Sequence, residues 1–260
     1  MLSSVDSLIF DIDGVLLNVD RSFPEVIHSG ILEGFERFGG GVSDCEGFTA
    51  EHQCLLKRHG AFNDDYDITW FLTCFCVSKN SERLSACFPS VSELEEVISS
   101  FRMPFREWVE SSFTDSVPYD EFRDFCFDLY AGTSSRKGLY LLEVPMLDLN
   151  WKDFPVPVGI YTGRDTTETN MALKSLGWQD FPREFIVNSS SGIKKPSPRG
   201  LEIVSRRTGS LSPCFFGDTA SDLQAFEAFG KGMFVAIGEL LPEADNSFLT
   251  LEDGIKFVLG

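Results

Sequence analysis

The chain has 260 residues, 43% of them hydrophobic and 24% charged, with a net charge of −18. That length and balance suit one large domain, or a core with a smaller companion, and argue against extensive disorder. The negative charge argues against nucleic acid and anionic membrane surfaces as partners, and any phosphate-bearing ligand would have to meet a local positive centre.

Reading from the N-terminus, MLSSVDSLIF lacks a basic region and runs directly into a strand, Leu8–Phe10, so it does not read as a signal peptide. No apolar run approaches the roughly 20 residues of a membrane helix. Helical periodicity follows over Phe23–Phe38, ending at Gly39-Gly40-Gly41, and again over Thr49–His59 and Asp67–Val77. Ser92 is the expected cap of a long helix reaching Phe113, interrupted at Pro104. Tyr119–Ala131 is a further predicted helix before Gly132.

From residue 156 the rhythm changes to alternating strands and helices. Val156–Tyr161 reads as a strand, Thr166–Leu176 as a helix closed by Gly177, and Glu184–Val187 as a strand. Ser197-Pro198 is the expected N-cap and first-turn pair of a helix ending near Gly209. Cys214–Phe216, Ser221–Phe229, Gly232–Ile237 and Leu251–Leu259 continue as strand, helix, strand and helix. The fold expected is α/β: a doubly wound, parallel-sheet, Rossmann-like core made of 1–17 and 118–260, interrupted by a helical insert over 18–117.

The 25 phenylalanines point to an aromatic-rich core. The seven cysteines, Cys45, Cys54, Cys74, Cys76, Cys87, Cys126 and Cys214, are odd in number and form no CxxC pair. They fit small buried residues in a reducing cytoplasm better than a disulfide framework or a zinc site. The three histidines, His28, His52 and His59, all lie in the insert and are assigned no catalytic role.

Open parallel sheets bind ligands at the carboxyl ends of their strands. Four segments there carry polar residues. FDIDGVL (10–16) ends a strand with Asp11 and Asp13, two positions apart and therefore facing the same way if the chain stays extended, and Gly14 permits a sharp turn. An EF-hand calcium loop does not fit, because the glycine comes too early and Ser22 stands where the closing glutamate belongs. GIYTGR (159–164) offers the Thr162 hydroxyl and Gly163 at a strand end. KKPSP (194–198) offers lysines, and FFGDTASD (215–222) offers Asp218 and Asp222. Taken singly, a strand-to-helix turn, a solvated lysine and a helix N-cap account for the last three.

Together, in this order, the four segments resemble the haloacid dehalogenase superfamily, and the phosphoglycolate-phosphatase-like branch within it. HGAFNDDYDIT (59–69) and GLYLLEVPML (138–147) resemble one subfamily of that branch. The resemblance covers nearly the whole chain, with the insert in the place of that family's helical cap. It implies an Mg²⁺-dependent phosphatase, a cytoplasmic enzyme acting on a small phosphorylated metabolite. Asp11 would be the nucleophile and a metal ligand. Asp13 would be the general acid and base and give a backbone carbonyl to the metal. Asp218 would bind the metal, and Asp222 would do so directly or through water. Thr162 and Gly163 would hold the phosphoryl group, with Lys195 bridging it to Asp11. Arg164 is a further candidate for substrate binding; a solvated arginine is the alternative. Asn63, in the loop HGAFNDDYD (59–67), is the candidate specificity residue. Three rivals share the framework. A phosphomutase would differ in what the cap excludes, a dehalogenase would lack Asp13, and a non-catalytic binding member would lose the nucleophile or the lysine.

Overall fold

A computed structural model of the chain describes residues 5–59, 61–62, 64–114 and 116–260. Strand β1 (Ser7–Phe10) is buried at every position. A strand covered on both faces is an apolar run rather than an alternation, as SLIF is. The short strand β2 (Leu17–Asn18) follows. Two compact units then divide the chain: Asp20–Leu142, and everything up to Val19 joined to Glu143–Gly260.

The unit Asp20–Leu142 is helical. Helix α1 (Phe23–Gly34) runs on through a π-helical turn, Phe35–Gly39, and stops at Gly40 in the left-handed conformation. Helix α2 (Ala50–Lys57) starts at a Thr49–His52 capping box. Next come α3 (Asp65–Ser78), α4 (Val91–Ser99), α5 (Phe105–Ser112) and α6 (Tyr119–Ala131). Glycines bring α1 close to two partners. A methyl at Gly30 would lie 2.6 Å from Cγ2 of Thr69 on α3, and one at Gly34 would lie 2.7 Å from the Phe122 ring on α6. Phe62, Phe71, Phe101, Phe105 and Trp108 pack at tilted and edge-on angles in one aromatic cluster, which uses part of the phenylalanine excess.

Three sequence expectations change in this unit. The helix expected from Ser92 to Phe113 is two helices, α4 and α5, with residues 100–104 between them. Ser90, not Ser92, caps the first, because its hydroxyl accepts from the Glu93 N–H while the Glu93 carboxylate accepts from the Ser90 N–H. The insert extends to Leu142 rather than 117, because α6 packs on α1 and α3.

The chain returns as β3 (Val144–Pro145), antiparallel to β2, a pairing too short to show in the sequence. Then come β4 (Val158–Tyr161), α7 (Thr166–Ser175), β5 (Ile186–Val187), α8 (Arg199–Thr208), β6 (Pro213–Gly217), α9 (Ala220–Phe229), β7 (Met233–Ile237), β8 (Ser247–Phe248) and α10 (Leu251–Leu259). The main sheet has the order β5-β4-β1-β6-β7-β8, and every pairing is parallel. Alternate strand residues feed two cores. Leu8, Phe10, Ile160 and Phe216 pack with Leu173 of α7 and Leu251 of α10, while Ile9, Tyr161 and Phe215 pack with Val204 of α8 and Ala225 of α9. Helices on both faces make the unit an α/β, doubly wound, Rossmann-like fold. Helix α8 begins one residue later than expected, with Pro198 rather than Ser197 at the N-cap. All seven cysteines are free. No helix among the described residues is long and apolar enough to cross a membrane.

Candidate active site

Strand β1 lies between β4 and β6, so residues just past these three strands share one edge of the sheet. Asp11 leaves β1 with its N–H still bound to the Phe216 carbonyl of β6 at 2.9 Å. Thr162 leaves β4 with its N–H bound to the Val187 carbonyl of β5 at 3.0 Å. Asp218 follows β6, and Lys195 sits in the loop between β5 and α8. The four motifs thus meet at the carboxyl end of the sheet.

A buried ion cluster forms the centre. Lys195 Nζ lies 2.8 Å from Asp11 Oδ2 and 2.6 Å from Asp222 Oδ1, and its side chain is 1% exposed. Neighbouring Lys194 is exposed. Burial alone would lower the Lys195 pKa, but Asp11 and Asp222 outweigh it and hold the ammonium charged well above the usual lysine range. Burial pushes the Asp11 carboxyl up, well above the usual carboxylate range. Lys195 resists that shift, and the charges of Asp222 and Asp13 add to it.

Asp222 is fixed from both sides. Its Oδ1 meets Lys195, and its Oδ2 accepts from the Thr219 N–H at 3.1 Å and the Thr219 hydroxyl at 2.7 Å, closing the capping box of α9. Asp11 Oδ1 is buried with no hydrogen-bond partner among the described residues. One carboxylate oxygen from each of Asp11, Asp218 and Asp222 falls within 4.8 Å of the others. A buried, unsatisfied carboxylate oxygen facing further carboxylates is expensive without a cation, and an all-oxygen set suits a hard divalent ion. These residues therefore fit Mg²⁺. Gly14 makes room for them: at φ +69° it takes the turn a side chain would resist, and a methyl there would lie 2.2 Å from Asp218 Oδ2.

Thr162 is buried, and its Oγ1 accepts the Arg164 N–H at 3.2 Å, which leaves the hydroxyl hydrogen to donate. Gly163 is exposed beside it. Arg164 is not the solvated arginine of the alternative reading: its side chain is 1% exposed, and its guanidinium binds Asp13 and Glu143. Glu143 was missed in the sequence. Its signal was a lone acid inside the apolar run GLYLLEVPML. Asn63 lies outside the described residues. Its neighbours Asp64 and Asp67 are engaged within the helical unit, where Asp64 caps α3 and Arg123 pairs with both. His52 is likewise a packing residue, bonded to Thr49 and to the Pro89 carbonyl.

No protein-family model matches the sequence, and no curated protein matches it. Solved structures do. The phosphatase Tt82 from Thermococcus thioreducens is 25% identical, with a TM-score of 0.65 over 96% of this chain and 99% of that one. A subfamily IA hydrolase of the superfamily from Geobacter sulfurreducens PCA is 18% identical, with a TM-score of 0.51 over 99% and 100%. A family IA hydrolase from Entamoeba histolytica HM-1:IMSS is 13% identical, with a TM-score of 0.54 over 96% and 95%. The latter two speak to the fold alone. The chain thus shares its fold, over nearly its whole length, with hydrolases of the haloacid dehalogenase superfamily.

Proposed function

We propose that the chain is an Mg²⁺-dependent phosphatase that hydrolyses a small phosphorylated metabolite through an aspartyl-phosphate on Asp11. The observation that carries this reading is the buried Asp11 carboxylate, with one oxygen on Lys195 and the other without a hydrogen-bond partner among the described residues. The phosphatase name of the 25%-identical structure supports the reaction class.

A carboxylate attacking a phosphate monoester brings two anions together, so neutralisation comes first. Asp11 and Asp218 would hold Mg²⁺, with the Asp13 carbonyl completing the protein ligands. When bound, the ion neutralises charge and fixes the in-line approach. Asp222 would hold Lys195 and assist the ion directly or through water. An Asp11 oxygen forms the new bond to phosphorus as the bond to the leaving oxygen breaks, and Asp13 gives that oxygen its proton. Water then attacks phosphorus, Asp13 takes the proton, and the bond to Asp11 breaks to release inorganic phosphate. Lys195 and the Thr162 hydroxyl hold the transferring oxygens.

The test is a set of phosphorylated metabolites incubated with Mg²⁺, with inorganic phosphate as the readout. Activity is expected to vanish in excess chelator, to return with Mg²⁺, and to fall by at least about a hundredfold in Asp11→Asn. Full turnover in chelator, or an Asp11→Asn variant retaining about a tenth of wild-type activity, would contradict the proposal.

A further inference from the structure

Asp13 needs more than a place in the cleft. A carboxyl that gives and takes a proton within one cycle must hold the same orientation in both steps, because misplacement by an ångström costs rate steeply. Its side chain is 29% exposed, so packing alone does not fix it. What fixes it is Arg164. Nε and Nη2 both donate to Asp13 Oδ1, at 2.9 and 2.5 Å. Two donations onto one oxygen orient the carboxyl plane and leave Oδ2 for exchange with a ligand.

Arg164 is in turn fixed from behind. Its Nη2 donates to Glu143 Oε1 at 2.9 Å, and the Glu143 side chain is fully buried. Its N–H donates to Thr162 Oγ1, and the next residue, Asp165, caps α7 in a reciprocal box with Glu168. A buried guanidinium is costly unless paired, and the second carboxylate supplies that pairing. Three distant segments converge on one planar group: the turn after β1, the residue that re-enters the core from the insert, and the loop after β4. A lysine could not do this, because its single ammonium lacks the fork.

We propose that Arg164, held by Glu143, is a positioning residue that grips Asp13 by Oδ1 and presents Oδ2 for proton transfer. The inference rests on the acid and base role given to Asp13 above. In it, Oδ2 releases its proton to the leaving oxygen as the phosphorus–oxygen bond breaks, and later receives one from the attacking water. Arg164 and Glu143 exchange no proton and touch no substrate.

Leaving-group dependence separates the two levels of the proposal. The probes are 2,4-dinitrophenyl, 4-nitrophenyl and phenyl phosphate, with kcat/KM measured in Mg²⁺ on the full chain. A good leaving group needs no proton, and a poor one does. Asp13→Asn is expected to lose at least about tenfold more on phenyl phosphate than on the dinitrophenyl ester. Arg164→Gln and Glu143→Leu are expected to show the same selective loss. Glu143→Gln, which keeps an acceptor for Nη2, should stay within about threefold of wild type on all three. Adding Arg164→Gln to Asp13→Asn should cost nothing further on phenyl phosphate. If Arg164→Gln does not fold, the two Glu143 variants decide the matter. Equal losses on all three esters in the Arg164 and Glu143 variants, beside a selective loss in Asp13→Asn, would overturn the positioning role alone. Equal losses in Asp13→Asn itself would overturn the acid assignment and the positioning role with it.

Discussion

At the residue scale the site is a contest between burial and pairing. Lys195 and Asp222 are almost fully buried, and each is tolerable only because the other is there, with Asp11 as the third member. Removing the cation should therefore be costly. Lys195→Met is expected to lose about 3–5 kcal/mol of stability in urea unfolding with chelator present, because two carboxylates would then face each other in the interior. A loss below about 1 kcal/mol would mean that water reaches and solvates the cluster. Much of this site was legible in the sequence, because its residues follow strands and strand ends are where such folds converge. Lys195 could be separated from Lys194 only by its place before Pro196, and the structure gives that choice a physical content: one lysine is buried on two acids and the other is exposed. Arg164 and Glu143 were not legible as a pair. They lie 21 residues apart, on either side of β4, and only the folded sheet brings them together.

At the element scale, strong periodicity could be read and short pairings could not. β1, β4, β6 and β7 stand where apolar runs placed them, because central parallel strands are covered on both faces. β2, β3, β5 and β8 have two residues each, and of these only β5, at the end of the Glu184–Val187 run, could be read. Helix starts were read less well where candidate caps crowd together. PSVSELEE offers Ser90 and Ser92, each three residues before a glutamate, and only the folded chain shows that Glu93 reaches back to Ser90. The distinction can be measured. Ser90→Ala is expected to cost about 1 kcal/mol and lower the melting temperature, whereas Ser92→Ala should change stability by less than about 0.5 kcal/mol. A larger loss from Ser92→Ala than from Ser90→Ala would return the cap to Ser92.

At the scale of the whole molecule, the sequence showed that an α/β core is interrupted by helices, but not where the interruption ends. The composition of α6 is that of an amphipathic helix, and such a pattern says that one face is covered without saying by what. Its Phe122 meets Gly34 of α1, and that contact, which no local pattern encodes, carries the boundary to Leu142. The net charge of −18 frames the chemistry. An anionic chain that acts on phosphate must concentrate positive charge where the reaction occurs, and the described residues do so with one buried lysine and a set of oxygens fit for a divalent ion. The central claim is that Asp11 itself carries the phosphoryl group. The most direct measurement is to quench the Mg²⁺-loaded enzyme during turnover of 4-nitrophenyl phosphate, reduce it with borohydride and sequence the peptides by mass spectrometry. An acyl phosphate is reduced to the alcohol, so the account predicts homoserine at position 11 and an unchanged residue in samples lacking Mg²⁺ or ester. Intact Asp11 in enzyme that is turning over, with reduction at another carboxylate or at none, would contradict it.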